Sequence, residues 1–233
     1  MFPWNELFMI NFGVFGFSTL TAYVICNIYN QPFINPNYSI ETITTRLKDG
    51  VTTVVVILTK SFITTSFLIY KIESVKNHTW FQTGMTICTY TVFIELFYYV
   101  YHRGVHSHPF VYKLIHKKHH INHDVYPFDT FHLTTFDSMG LIISLGLPLT
   151  FLSVSYFELN TVLYIYLTSS YLAHSKLFYD HHYIHHTLIN YNYCIFLPIF
   201  DILCKTYKWN ELVSKLQWLF FHEKTNNLIL NAI

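Results

Sequence analysis

The feature that most constrains this chain is a series of long apolar stretches, which leave little charge for a water-facing surface. Leu7 to Ile28 and Val51 to Tyr70 are each long enough to span a bilayer, although Lys60 interrupts the second. Trp80 to Tyr101 is a third stretch, carrying Glu95 near its end. Gly140 to Phe157 and Leu159 to Ala173 are a fourth and fifth, separated by Glu158. A spanning helix needs about 20 residues at 1.5 Å each, so the last two read as a tight hairpin that dips into the bilayer or barely crosses it. Charged residues are 12% of the chain and hydrophobic ones 52%, where soluble domains carry about 25% charge. The net charge of +1 and the lack of a basic stripe argue against nucleic acid as a partner. The expected fold is all-α, an integral membrane helical bundle with about 3–5 membrane segments. The four cysteines, Cys26, Cys88, Cys194 and Cys204, are scattered and read as apolar packing residues.

Charge placement orients the chain. No basic residue precedes Arg46, so the first apolar segment is expected to remain as an anchor rather than be cleaved. With that segment entering from the far side, Arg46, Lys48, Arg103, Lys113, Lys117, Lys118 and Lys176 face the cytoplasm, as do Lys205, Lys208, Lys215 and Lys224. The far loop holds only Lys71 and Lys76. The tail from residue 209 to 233 alternates polar and apolar residues at helical spacing, which predicts a surface helix.

Against this greasy background stand three histidine clusters on the expected cytoplasmic face. They are His102-Arg-Gly-Val-His106, His116-Lys-Lys-His119-His120 and His182-Tyr-Ile-His185-His186. Spacings of three and four place side chains on one face of a helix. Neutral imidazole is the commonest transition-metal ligand among side chains. A single zinc takes four ligands, so eight such histidines suit two metals; zinc, copper, nickel and iron all accept nitrogen ligation. Glu95, His102 and His106 share one stripe of a helix, which suits Glu95 to orient an imidazole.

The residues around these histidines resemble the boxes of the fatty acid hydroxylase and sterol desaturase superfamily. The resemblance rests on Tyr101-His-Arg-Gly-Val-His106, on Val111-Tyr-Lys-Leu-Ile-His-Lys-Lys-His-His120 and on His182-Tyr-Ile-His-His186. It extends to Tyr191-Asn-Tyr193 and to Phe200-Asp-Ile-Leu-Cys-Lys-Thr-Tyr207, and covers roughly Glu95 to Lys208. The His-Arg-Gly-x-His form and the Tyr-Asn-Tyr triplet look most like the sterol C5-desaturase (lathosterol oxidase) branch. The implied division is residues 1–94 as membrane segments, 95–208 as the catalytic domain and 209–233 as the tail.

The resemblance implies a membrane-bound oxidase holding two iron ions, with zinc the ion that could replace them as purified. It would use O2, with electrons from NAD(P)H through a separate cytochrome b5 or similar carrier. The substrate would be a sterol or fatty-acyl lipid reached from the bilayer, and the membrane that of the endoplasmic reticulum. Sterol C5 desaturation leads; fatty acyl hydroxylation and sterol C4-methyl oxidation use the same frame. Tyr98, Tyr99, Tyr101, Phe110, Tyr112, Phe131, Tyr171 and Phe178 are candidates to line the pocket.

The chain also departs from the pattern. The family's histidine after the second box falls on Thr134, with His132 two residues early and available to take its place. His174 resembles the histidine that ends the hairpin, and Asp137 falls where the family has an acid. Cys194 and Lys205 stand where glycines are expected. The metal set expected is therefore His102, His106, His116, His119, His120, His132, His174, His182, His185 and His186. The reading from another class is a degenerate relative that binds metal or lipid without redox chemistry.

Overall fold

A computed structural model describes residues 4–73, 78–177 and 180–209. The predicted tail after Trp209, and Phe178 among the candidate pocket aromatics, lie outside the described residues. Among those described, the regular structure is helical throughout.

Helix α1 runs Trp4–Ile28 and helix α2 runs Ile40–Glu73. Within them, Trp4–Ile28 and Ile40–Leu68 are long and apolar enough to cross a membrane. Their outer faces expose Phe17, Leu20, Val55 and Phe67, apolar area that suits lipid rather than water. The buried Asn11 amide donates to the Leu7 carbonyl of its own helix at 2.8 Å and across to the Thr65 hydroxyl of α2 at 3.2 Å. Such a polar tie satisfies the NH2 end of the amide in apolar surroundings. Lys60, which interrupts the second apolar stretch, reaches the Thr135 carbonyl at 3.1 Å, so its charge escapes the apolar face.

Helix α3, Trp80–Ser107, starts at a capping box in which Thr79 and Gln82 satisfy each other's backbone amides. Its 28 residues carry the third apolar stretch and continue through the first histidine cluster. Helix α4 covers Thr135–Gly146 and ends in a 3-10 turn, Leu147–Thr150, where Pro148 cannot extend an α-helical ladder. Helix α5, Tyr156–Ala173, opens on a second capping box. There Glu158 accepts from the Ser155 amide at 2.8 Å and is met by His78 Nδ1 at 2.6 Å. Glu158, which the sequence reads as a separator between two apolar segments, thus closes the capping box that Ser155 opens at the start of α5. Helices α6, Asp180–Leu188, and α7, Ile199–Leu203, complete the fold.

The core lies where α3, α4 and α5 meet, around Tyr90, Ile94, Leu149, Leu159 and Tyr166. A second cluster joins α1 and α2 to it through Ala22, Ile57, Phe131, Ile142 and Tyr171. This packing fixes the ends of α3 and α5 side by side, and the histidines hang from those ends.

Candidate metal centre

The three clusters reach the same place by different backbones. His102 and His106 lie one turn apart near the end of α3. His182, His185 and His186 lie on α6, whose spacing is the one expected. The second cluster departs from expectation: it is not one face of an α-helix. His116 closes a π-helical turn, Tyr112–His116, and His119 and His120 sit in a 3-10 turn, His119–Ile121. His120 has φ −87° and ψ 16°, outside helical geometry. The kink turns neighbouring rings in different directions.

The result is two groups. His102, His106, His116, His120 and His185 form one; His119, His174, His182 and His186 form the other. Within each, one nitrogen per ring lies within 4.8 Å of all the others. All are buried except His106, which is partly covered. The second box is therefore split between groups, and so is the third.

Outer partners decide which nitrogen of each ring faces inward. His102 Nδ1 donates to the Tyr193 carbonyl at 2.6 Å and His185 Nδ1 to the Tyr191 carbonyl at 2.7 Å. His174 Nδ1 donates to the Ser170 carbonyl at 2.7 Å, and His116 Nδ1 to Asp137 Oδ2 at 2.8 Å. A carbonyl or an ionised carboxylate can only accept, so each of these rings carries its proton on Nδ1 and turns a bare Nε2 inward. His102 Nε2 and His116 Nε2 then face each other at 2.9 Å. Two lone pairs at that distance repel unless a cation lies between them. Both ring nitrogens of His106, His182 and His186, and the Nδ1 atoms of His119 and His120, have no hydrogen-bond partner among the described residues. Buried polar atoms are rarely left so, and a metal in each group would take one nitrogen of each ring, in His119 and His120 the Nε2 that faces His174 and His185. Burial, followed by neighbouring imidazoles, holds His119, His120, His182 and His186 well below the ordinary imidazole pKa. At neutral pH these rings are neutral, the form that binds metal.

The Tyr191-Asn-Tyr193 triplet is the clamp behind two of these rings. Asn192 has φ 58°, a left-handed conformation that Asn tolerates better than most residues. Its side chain is tied to the backbone of Lys208, donating at 2.9 Å and accepting at 2.7 Å. Asp201 accepts from the amides of Tyr193 at 2.9 Å and Cys194 at 2.7 Å. Glu95, fully buried, accepts from the amides of Phe196 at 2.8 Å and Ile195 at 3.3 Å. This corrects the role expected of Glu95. Its carboxylate grips the loop that presents the Tyr193 carbonyl to His102 rather than orienting an imidazole itself, because the chain bends back across α3 at that height. Asp201, which sequence reasoning noted only as part of a closing motif, does the same work from the other side.

His132 is the expected ligand that the structure keeps apart. It belongs to neither group, and its Nε2 lies 3.7 Å from Asp49 Oδ2. The position counted as the family's histidine, Thr134, caps α4, accepting from the Asp137 amide at 3.1 Å and donating to the Ile115 carbonyl at 2.7 Å. Of the two expected glycines, Lys205 does adopt a left-handed φ of 60°, whereas Cys194 is not among the residues with positive φ.

A pocket opens beside the histidines. His116, His119, His174 and Asp137 form its polar wall, and Tyr98, Phe131, Leu133, Leu141 and Ile195 contribute apolar ones. Of the other candidate aromatics, Tyr101 packs on Gly140, Tyr99 bonds Thr206 and Arg103, and Phe110 is exposed. Tyr112 packs at a tilt against His106, and Tyr171 meets Phe131 edge to face.

The family model for fatty acid hydroxylase matches residues 87–206, just over half of the 233. No curated protein and no solved structure matches the chain.

Proposed function

Because the chain belongs to the fatty acid hydroxylase family, we propose that it is a membrane-bound, O2-dependent lipid oxidase with one iron ion in each histidine group. The observation that carries this reading is the pair of bare nitrogens of His102 and His116 facing each other at 2.9 Å, inside a buried set of nine inward-turned rings. Iron bound there would supply the activation of O2, drawing electrons from NAD(P)H through a separate cytochrome b5-type donor. The chain's own part is to hold the ligands, shape the pocket and keep water from it. Tyr98, Phe131, Leu133 and Leu141 give the substrate an apolar seat next to His116 and His119. A second, mainly apolar cavity lies among the helices, lined by Ile57, Tyr90, Ile142, Leu149 and Leu163, where a lipid could rest its apolar end.

The box sequences favour a sterol and C5 desaturation; fatty acyl hydroxylation and C4-methyl oxidation remain the alternatives for the same site. The site's placement on the cytoplasmic face of the endoplasmic reticulum is part of the same proposal, supported by the basic residues around the boxes. The convergence of nine histidines supports metal binding; the degenerate reading, metal or lipid bound without redox chemistry, is separated from the oxidase by product formation.

The test is lipid analysis of membranes supplied with NADPH, a cytochrome b5 system, and either 3-hydroxysterols or fatty-acyl lipids. The proposal expects oxidised product in one lipid class, abolished in the His119→Ala/His120→Ala variant, which strikes both groups. Metal-loaded protein that oxidises neither class contradicts it.

A further inference from the structure

We propose that Tyr101 and Asp137 act as a positioning pair for His116, and that residue 140 is glycine to admit the Tyr101 ring. The inference rests on the metal centre proposed above and concerns residues that hold no metal themselves.

Four observations meet at this point. The Tyr101 hydroxyl donates to Asp137 Oδ1 at 2.6 Å. The other carboxylate oxygen, Oδ2, accepts a hydrogen bond from His116 Nδ1 at 2.8 Å. Asp137 is 3% exposed and its backbone is fixed by the Thr134 cap. A Cβ on Gly140 would lie 2.1 Å from Tyr101 Cζ and 2.6 Å from its hydroxyl. No real Cβ approaches so closely, so any larger residue there would push the phenol off the carboxylate.

The chemistry explains why each part is needed. A carboxylate bound on one oxygen only can rotate. The phenol holds Oδ1, which leaves Oδ2 aimed at the imidazole. A hydrogen bond to an ionised acceptor is shorter and stronger than a neutral one, and a carboxylate behind a ligand histidine raises its basicity and fixes its ring. Simple packing would be met by phenylalanine at 101; the hydroxyl is explained by what it donates to. Among the described residues, His116 is the one grouped histidine backed by a carboxylate; His102, His174 and His185 are backed by carbonyls. His116 also sits at the seam of the two groups, its ring 4.7 Å from that of His102 and 5.1 Å from that of His119. With Asp137 it forms part of the wall of the substrate pocket. Its orientation therefore bears on one group's grip and on the pocket's shape together.

The test uses the full chain in detergent, titrated with cobalt(II) against a competing chelator and followed by visible absorption, with circular dichroism to establish folding. Wild type should bind two cobalt ions. Asp137→Asn should weaken one of them by roughly 10- to 100-fold and leave the other. Tyr101→Phe, which keeps the ring in its slot, should weaken the same ion by a smaller factor and alter the same absorption band. The double variant should match Asp137→Asn alone, because the phenol acts through the carboxylate. Folded variants that bind both ions as wild type does, with unchanged spectra, overturn the pair while leaving the metal centre intact. So does a Tyr101→Phe loss that adds in full to that of Asp137→Asn. If Asp137→Asn does not fold, Tyr101→Phe decides by itself. Folded wild type that takes up no cobalt overturns the metal centre and this proposal with it.

Discussion

The two histidine groups use the same ligand type yet are braced very differently. In the group of five, His102, His116 and His185 are each fixed from behind, by Tyr193, Asp137 and Tyr191. In the group of four only His174 is fixed, by Ser170. His182 and His186 leave both ring nitrogens without a partner, and His119 leaves Nδ1 so. The difference follows from the backbone. The 191–196 loop, which Glu95 and Asp201 anchor, backs two rings of the group of five, while the group of four draws His182 and His186 from α6 and His174 from the end of α5. Ligand count alone would call the two sites near-equivalents. Outer contacts brace three rings of the first group, leaving His106 and His120 without such a tie, and one ring of the second, whose rings the metal itself must organise to a greater degree.

The largest expected effect comes from striking each group once. His185→Ala should cost the braced group its ion and abolish lipid oxidation. His182→Ala should cost the other group its ion and abolish oxidation equally. Metal analysis should find one ion left in each variant; loss of both ions in His182→Ala but only one in His185→Ala would reverse the ranking of the two groups.

Acidification should act more broadly. Burial depresses the histidines of both groups, so the unfolded chain binds protons that the folded one refuses. The stability this implies is full well above the unfolded pKa and is lost as pH falls below about 6.5. Metal-free protein should melt progressively lower below that pH, and bound metal should be released over the same range as protons compete for the rings. A melting temperature that stays level through that window would contradict the burial of neutral imidazoles.

A smaller effect, confined to one side of the comparison, should come from Asn192→Ala. It removes both ties to Lys208 and leaves a left-handed backbone on a residue that resists it, at a cost of about 1–2 kcal/mol. The carbonyls of Tyr191 and Tyr193 should drift, weakening the group of five several-fold while the group of four holds. Competition titration reads this directly; equal loss from both groups would mean that the triplet supports the fold and not the ligands.

The sequence made much of this legible because helical periodicity is local. Four of the five apolar stretches lie within helices, the fourth being broken after the 3-10 turn Leu147–Thr150, and the spacing of His182, His185 and His186 was realised on α6. The division of labour was not legible. His119 and His120 are neighbours in sequence and serve different groups because a π turn and a 3-10 turn, set by packing against α3 and α4, rotate them apart. Glu95 sits on the same helical stripe as His102, which suggested a direct contact; the loop between them comes from a hundred residues away. His132 met the spacing loosely, but the cap formed by Thr134 sets where α4 begins and keeps the ring beside Asp49.

The measurement that tests the central claim most directly is the number of ions per chain and the time course of their removal by chelator. The account predicts two ions that leave in two phases, the first from the group of four, with the slow phase abolished by His185→Ala. Two ions leaving in a single phase, or folded protein that never holds a second ion, would contradict it.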